Sequence, residues 1–245
     1  MTAEFAGERT ALVTGASRGL GRAIAHGLAT QGWNLIITSR DPDRLRAVRD
    51  ELARLTHVAS IAGDVTDESH CRALAVLARG HGGLDAVINN AGALGPSPQP
   101  GLLDYPLDTL RWVFDTNVVA PLGLIQAVRS ELKPGSCVIN VTSDAAVNAY
   151  GGWGGYGSSK AALEQLSAIL AAENSELRVY WVDPGDMRTD MQQAAYPGEN
   201  ISDRPLPEAR VPGFIALLES DLPSGRYVAS EVAVSGKKTP ALEVA

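Results

Sequence analysis

Short runs rich in β-branched residues alternate with longer amphipathic stretches along nearly the whole chain, and this alternation restricts the fold more than any other feature. Residues 11–13, 34–38, 58–61, 84–88, 137–141 and 178–182 read as strands. Helices are expected from Arg22 onward, over 42–55, from the N-cap Asp67 to 79, over 107–132 with a kink at Pro121, and over 155–173. Strand followed by helix, repeated, builds a parallel, doubly wound sheet with helices on both faces. The chain has 245 residues, 45% of them hydrophobic, and no low-complexity block divides it. One α/β domain is therefore expected, with its core over 9–229.

In such a sheet, ligands bind beyond the carboxyl ends of the strands. Polar or glycine residues follow the expected strands at Gly15, Ser39 and Arg40, Asp64, Asn89 and Asn90, Ser143, and Pro184 and Gly185, so one sheet edge collects the chemistry. The first of these turns is Thr14-Gly15-Ala16-Ser17-Arg18-Gly19-Leu20-Gly21, set between a strand and a helix. Glycine there admits positive φ and lets backbone N–H groups approach a pyrophosphate, which the helix N-terminus also attracts. Together these features predict a Rossmann-type, dinucleotide-binding sheet.

Composition excludes other classes. A net charge of −7, with no basic run beyond Lys237-Lys238, argues against a nucleic-acid partner. Residues 1–9 lack the basic and apolar regions of an export signal, and no apolar run is long enough to span a bilayer, so a soluble, cytoplasmic protein is expected. Cys71 and Cys137 are expected as buried free thiols. His26, His57, His70 and His81 show no ligand spacing with Cys, Asp or Glu, and no metal is expected.

Tyr156 and Lys160 stand four apart on an expected helix, hence on one face. A phenol is a poor base near neutrality; lowering its pKa by roughly three pH units takes about 4 kcal/mol of preferential phenolate stabilisation. A neighbouring ammonium in a partly dry cleft supplies part of that. With the glycine loop, the pair points to hydride transfer.

These motifs, in order over residues 9–229, resemble the short-chain dehydrogenase/reductase family: the TGxxxGxG spacing of Thr14 to Gly21, Asp64-Val65, Asn89-Asn90-Ala91-Gly92, Asn117, Ser143, Tyr156-x-x-x-Lys160, and Pro184-Gly185 with Thr189. The resemblance implies a catalytic tetrad of Asn117, Ser143, Tyr156 and Lys160, in which Lys160 also holds the nicotinamide ribose, Ser143 the substrate oxygen and Asn117 a relay water. It further implies adenine contacts from Asp64 and Val65, a floor under the cofactor from Asn90, Ala91 and Gly92, a carboxamide contact from Thr189, and a homodimer or homotetramer.

Ser39 occupies the position after the second strand where an acid would accept from the ribose hydroxyl of NAD, with Arg40 beside it and Arg18 in the loop. Two guanidiniums form a phosphate clamp, so NADP(H) is preferred, with NAD(H) possible. Asp41 before Pro42 reads as a helix cap rather than a ribose ligand. Stretches 93–104, 145–155 and a lid at 186–207 frame the substrate with Leu94, Tyr150, Trp153, Met187, Met191 and Tyr196, which favours a neutral, partly apolar carbonyl or alcohol; the same side chains equally suit packing of the lid on the domain. Three departures from the family pattern stand out: Asp144 directly after Ser143, the flexible Gly151-Gly152-Trp153-Gly154-Gly155, and a tail over 231–245 without a packing pattern. A cofactor-binding sensor without turnover is the alternative from another class. An epimerase or dehydratase of the longer family branch lacks its loop spacing here.

Overall fold

The computed structural model describes residues 9–235. Seven strands lie in one parallel sheet: β1 (Thr10–Thr14), β2 (Asn34–Ser39), β3 (Val58–Ala62), β4 (Leu84–Asn89), β5 (Leu132–Val141), β6 (Arg178–Asp183) and β7 (Gly225–Val228), in the order β3-β2-β1-β4-β5-β6-β7. The order reverses between β1 and β4, which opens a crevice at their carboxyl ends.

Both faces of the sheet are covered, so the central strands are apolar throughout rather than alternating. Ala11 and Val13 of β1 point with Ile37, Ile88, Ile139 and Val182 to one face, where α1 (Gly19–Thr30), α2 (Pro42–Leu52) and α8 (Val211–Glu219) cover them through Leu28, Leu45 and Phe214. Leu12, Ile36 and Val87 point to the other, against Leu74 of α3 (Glu68–Gly80) and Leu124 of α5 (Ala120–Val128). Asp41 and Asp67 cap α2 and α3, accepting from the backbone N–H groups of Asp43 and Arg44 and of Ser69.

The structure differs from expectation in three places. The helix expected over 107–132 is α4 (Leu107–Phe114), a π-helical turn (Asp115–Val119), α5 and a 3₁₀ turn (Arg129–Glu131), with β5 starting at Leu132. Its irregularity sits ahead of Pro121, which has no N–H to give the carbonyl of Asn117 four residues earlier. The helix expected to reach 55 ends at Leu52. The tail is not without packing: Ala229 opens α9 (Ala229–Ser235), and Val232 is buried in the main core, while the rest of it, 236–245, lies outside the described residues. Cys71 and Cys137 are free and buried. Among the described residues, no helix is long and apolar enough to cross a membrane, and no three His, Cys, Asp or Glu side chains gather to hold a metal ion.

Candidate active site

A cavity of about 630 Å3 opens over the crevice. Its wall takes Gly15, Ser17, Arg18, Gly19 and Leu20 from the first loop, Ser39 and Arg40 after β2, Asp64 and Val65 after β3, Asn90, Ala91 and Gly92 after β4, Tyr156 and Lys160 from α6 (Gly154–Glu173), and Pro184 and Thr189 after β6. Gly21, Asn117, Ser143 and Gly185 do not line it.

The glycine loop is braced from below. Gly15 and Gly19 have φ of +66° and +53°. Asn90 Nδ2 donates to the carbonyls of Thr14 (3.0 Å) and Gly15 (3.3 Å), and Thr14 Oγ1 accepts from the N–H groups of Asn90 and Ala91, each at 3.0 Å. Asn90 therefore holds the loop while it also lines the cavity. A Cβ on Gly21 would lie 2.4 Å from both Gly15 O and Asn90 Nδ2, so only glycine fits there. Arg18 precedes α1 without a side-chain cap, which leaves the first-turn N–H groups for an anion. These features fit the pyrophosphate of a dinucleotide.

The cations around the cavity differ in their availability. Arg18 Nη1 is 2.7 Å from Asp190 Oδ2, an ion pair between the loop and α7 (Asp190–Ala195) in the lid. Arg40 is exposed and has no ion-pair partner among the described residues. Arg44, which the sequence reading passed over, lines the same wall, 3.3 Å from Asp41. Its place in the first turn after Arg40 was the available signal. Asp41 acts as the cap of α2 while it also lines the cavity.

At the other end, Lys160 Nζ donates to the carbonyl of Val141 at 2.7 Å and lies 5.5 Å from the centre of the Tyr156 ring. Burial pulls the Lys160 ammonium down to about 8 while Glu164 pushes it up, so it stays mostly charged at neutral pH. The Tyr156 phenol is shifted upward. Burial pushes it above its ordinary range, the charges of Asp183 and Asp144 push the same way, and Ser143 opposes them. The cation that faces it is Lys160.

Ser143 Oγ donates to Asp144 Oδ1 (3.0 Å), whose other oxygen accepts from Tyr150 (2.9 Å). Asp144 thus engages the hydroxyl that would meet a substrate. Asn117, fully buried in the π turn, gives both amide protons away, to Ala93 O and Ser159 Oγ at 2.9 Å each, and accepts from Ala93 N at 2.8 Å. It ties the 93–104 loop to the helix instead of bonding within its own helix. Leu94, Trp153 and the lid residues Ala194 and Ala195 pack on Tyr156, and Trp153 stands 5.9 Å from the rings of both Tyr156 and Tyr196. Met187 and Met191 line the cavity, whereas Trp153 and Tyr196 pack the lid down. Of the glycines before Tyr156, Gly154 and Gly155 serve close packing: a Cβ on Gly155 would lie 2.2 Å from the Tyr105 ring.

Comparison with known proteins then decides the family, because the model described as short chain dehydrogenase matches residues 9–200. The chain belongs to the short-chain dehydrogenase/reductase family. As a member it is an oxidoreductase. This short-chain dehydrogenase/reductase is 37% identical over 188 residues to serine 3-dehydrogenase of Agrobacterium fabrum, covering 74% of this chain and 73% of that one. It is 34% identical over 188 residues to 7alpha-hydroxysteroid dehydrogenase of Escherichia coli, covering 74% and 72%. Its fold is similar to that of a short chain dehydrogenase from Escherichia coli CFT073 complexed with NADPH, with a TM-score of 0.83, 29% identity, and coverage of 90% and 96%.

Proposed function

We propose that this enzyme interconverts a carbonyl and an alcohol on a neutral, partly apolar small molecule, using NADP(H), with Tyr156 as general acid and base. The observation that carries this reading is that Tyr156 and Lys160 share one cavity wall with the braced glycine loop. A bound nicotinamide dinucleotide supplies or accepts the hydride. The residues to hold it are Gly15 through Gly21, Ser39, Arg40, Asp64, Val65, Asn90, Ala91, Gly92, Tyr156, Lys160, Pro184, Gly185 and Thr189.

The rest is the work of the chain. Tyr156 passes its proton to the carbonyl oxygen, and Ser143 turns its hydroxyl from Asp144 to the same oxygen. Lys160, still charged at neutral pH, favours the phenolate left behind. Asn117 has spent its amide protons, so its main-chain carbonyl, which Pro121 cannot engage, is the acceptor for a relay water. Apolar side chains on the outer surface of the helices, Trp112, Val119 and Ile169, support a homo-oligomer.

The relatives act on molecules as different as serine and hydroxysteroids, so the substrate must come from turnover: NADPH consumption followed by absorbance across ketones, aldehydes, quinones and hydroxysteroid-like carbonyls. Turnover that needs Tyr156 supports the reading, and tight NADPH binding without turnover across the panel counts against it.

Two smaller effects follow. Arg40→Asp places an acid where a 2′-phosphate would sit, and Kd for NADPH should rise roughly tenfold relative to that for NADH, about 1.4 kcal/mol. An unchanged ratio of the two Kd values removes the clamp. Asp144→Asn keeps partners for Ser143 and Tyr150 but removes a charge that holds the Tyr156 phenol up. The Tyr156 limb of kcat/KM against pH should therefore move to lower pH; a limb that stays or rises contradicts the role given to Asp144.

A further inference from the structure

Arg226 sits on the edge strand β7 and does not line the cavity, yet its guanidinium reaches three elements of the site. Nε donates to Glu164 Oε1 at 3.0 Å, and Nη2 donates both to Asp183 Oδ2 and to the Ser143 carbonyl, each at 3.2 Å. The three side chains are largely enclosed, with 20% of Arg226, 12% of Glu164 and 8% of Asp183 exposed. Each carboxylate is also committed on the site's side: Glu164 Oε1 accepts from Thr142 Oγ1 at 2.7 Å, and Asp183 Oδ1 from Gly185 N at 2.8 Å.

Glu164 lies one turn beyond Lys160 on α6, Asp183 precedes Pro184 and Gly185, and Ser143 follows β5. We propose that Arg226 is a positioning residue: by joining the ends of β5 and β6 to α6, it sets Ser143, Tyr156 and Lys160 against one another. The proposal rests on Tyr156 being the proton donor. Arg226 is the ion-pair partner of both carboxylates, and without it Asp183 would stand enclosed and unpaired, with Glu164 left to Lys160. Their charges bear on the reacting pair. Asp183 faces Tyr156 together with Asp144, Ser143 and Lys160, and Glu164 faces Lys160. Removing Arg226 leaves the Asp183 charge unopposed, which disfavours phenolate. Removing that charge instead favours it.

The test compares Arg226→Met, Arg226→Lys and Asp183→Asn, alone and with Arg226→Met, against wild type and Tyr156→Phe, with crystal structures alongside kinetics. Arg226→Met should lower kcat roughly 10- to 100-fold with NADPH Kd within about twofold of wild type, as displaced reacting groups do. Its Tyr156 limb should move to higher pH, that of Asp183→Asn to lower pH, and the double variant should return toward wild type. Arg226→Lys, keeping the charge without the fork, should fall between.

Wild-type kcat and pH profile in a folded Arg226→Met variant overturn the proposal. If that variant does not fold, wild-type profiles in both Arg226→Lys and Asp183→Asn overturn it equally. Should wild type and Tyr156→Phe turn over alike, the catalytic reading fails on its own. Arg226 is then judged by the crystal structure of Arg226→Met or Arg226→Lys: Ser143 and the Tyr156 ring should have moved against Lys160, and an unmoved site overturns the assignment.

Discussion

Replacing Tyr156 with phenylalanine is expected to cut kcat by about 10²- to 10⁴-fold while leaving NADPH binding nearly intact. The ring keeps its contacts with Trp153, Leu94 and Ala145, so the helix and the lid above it have no reason to move. What disappears is one hydroxyl, the only proton donor that shares the cavity wall with Lys160 among the groups assigned to catalysis. The phenol is held high in the protein by burial and two carboxylates, which suits a group that must arrive protonated at a carbonyl. Steady-state rates, together with NADPH titration by fluorescence, separate the chemical loss from a binding loss. Equal turnover in the two proteins would falsify the assignment of Tyr156.

The second large effect concerns binding. Gly21→Ala should weaken NADPH by at least about 100-fold, close to 2.8 kcal/mol at 1.4 kcal/mol per tenfold. The added methyl meets Gly15 O and Asn90 Nδ2 at 2.4 Å, and neither can retreat without breaking the bonds from Asn90 to Thr14 and Gly15. Forcing a carbon into such a place typically costs about 1–3 kcal/mol of stability as well. Gly123→Ala in α5 is the control, because nothing lies within 4 Å of a Cβ there. Isothermal titration of the two variants, with thermal melts to show that both are folded, measures the difference. Unaltered NADPH affinity in Gly21→Ala would mean that the loop is not built as described.

What could be read from the chain was local. The strand runs and the caps Asp41 and Asp67 declare themselves because the forces that form them act within a few residues. Pro121 marks where the hydrogen-bond ladder breaks, but the break is taken up one turn earlier, in the π turn around Asn117, and nothing in Asp115–Val119 itself declares that register. Arg226 is illegible for a different reason: its partners lie 43, 62 and 83 residues away, and nothing in Gly225–Val228 hints at them. Nor could the spacing of Tyr156 and Lys160 reveal that burial and the charges of Asp183 and Asp144 push the phenol up, since that balance depends on the finished fold.

The brace beneath the glycine loop also bears on how the enzyme assembles its complexes. Because Asn90 and Thr14 fix the loop from the sheet side, the dinucleotide meets a surface already ordered and loses little affinity to conformational entropy. The segment that bears Asp190 is secured differently, by the water-exposed pair of Arg18 with Asp190 and by the packing of Trp153 against Tyr196. A phosphate arriving at Arg18 competes with Asp190 for the same guanidinium. The sheet side of the cleft is thus its template, and the side that bears Asp190 is joined to it through an ion pair exposed to water.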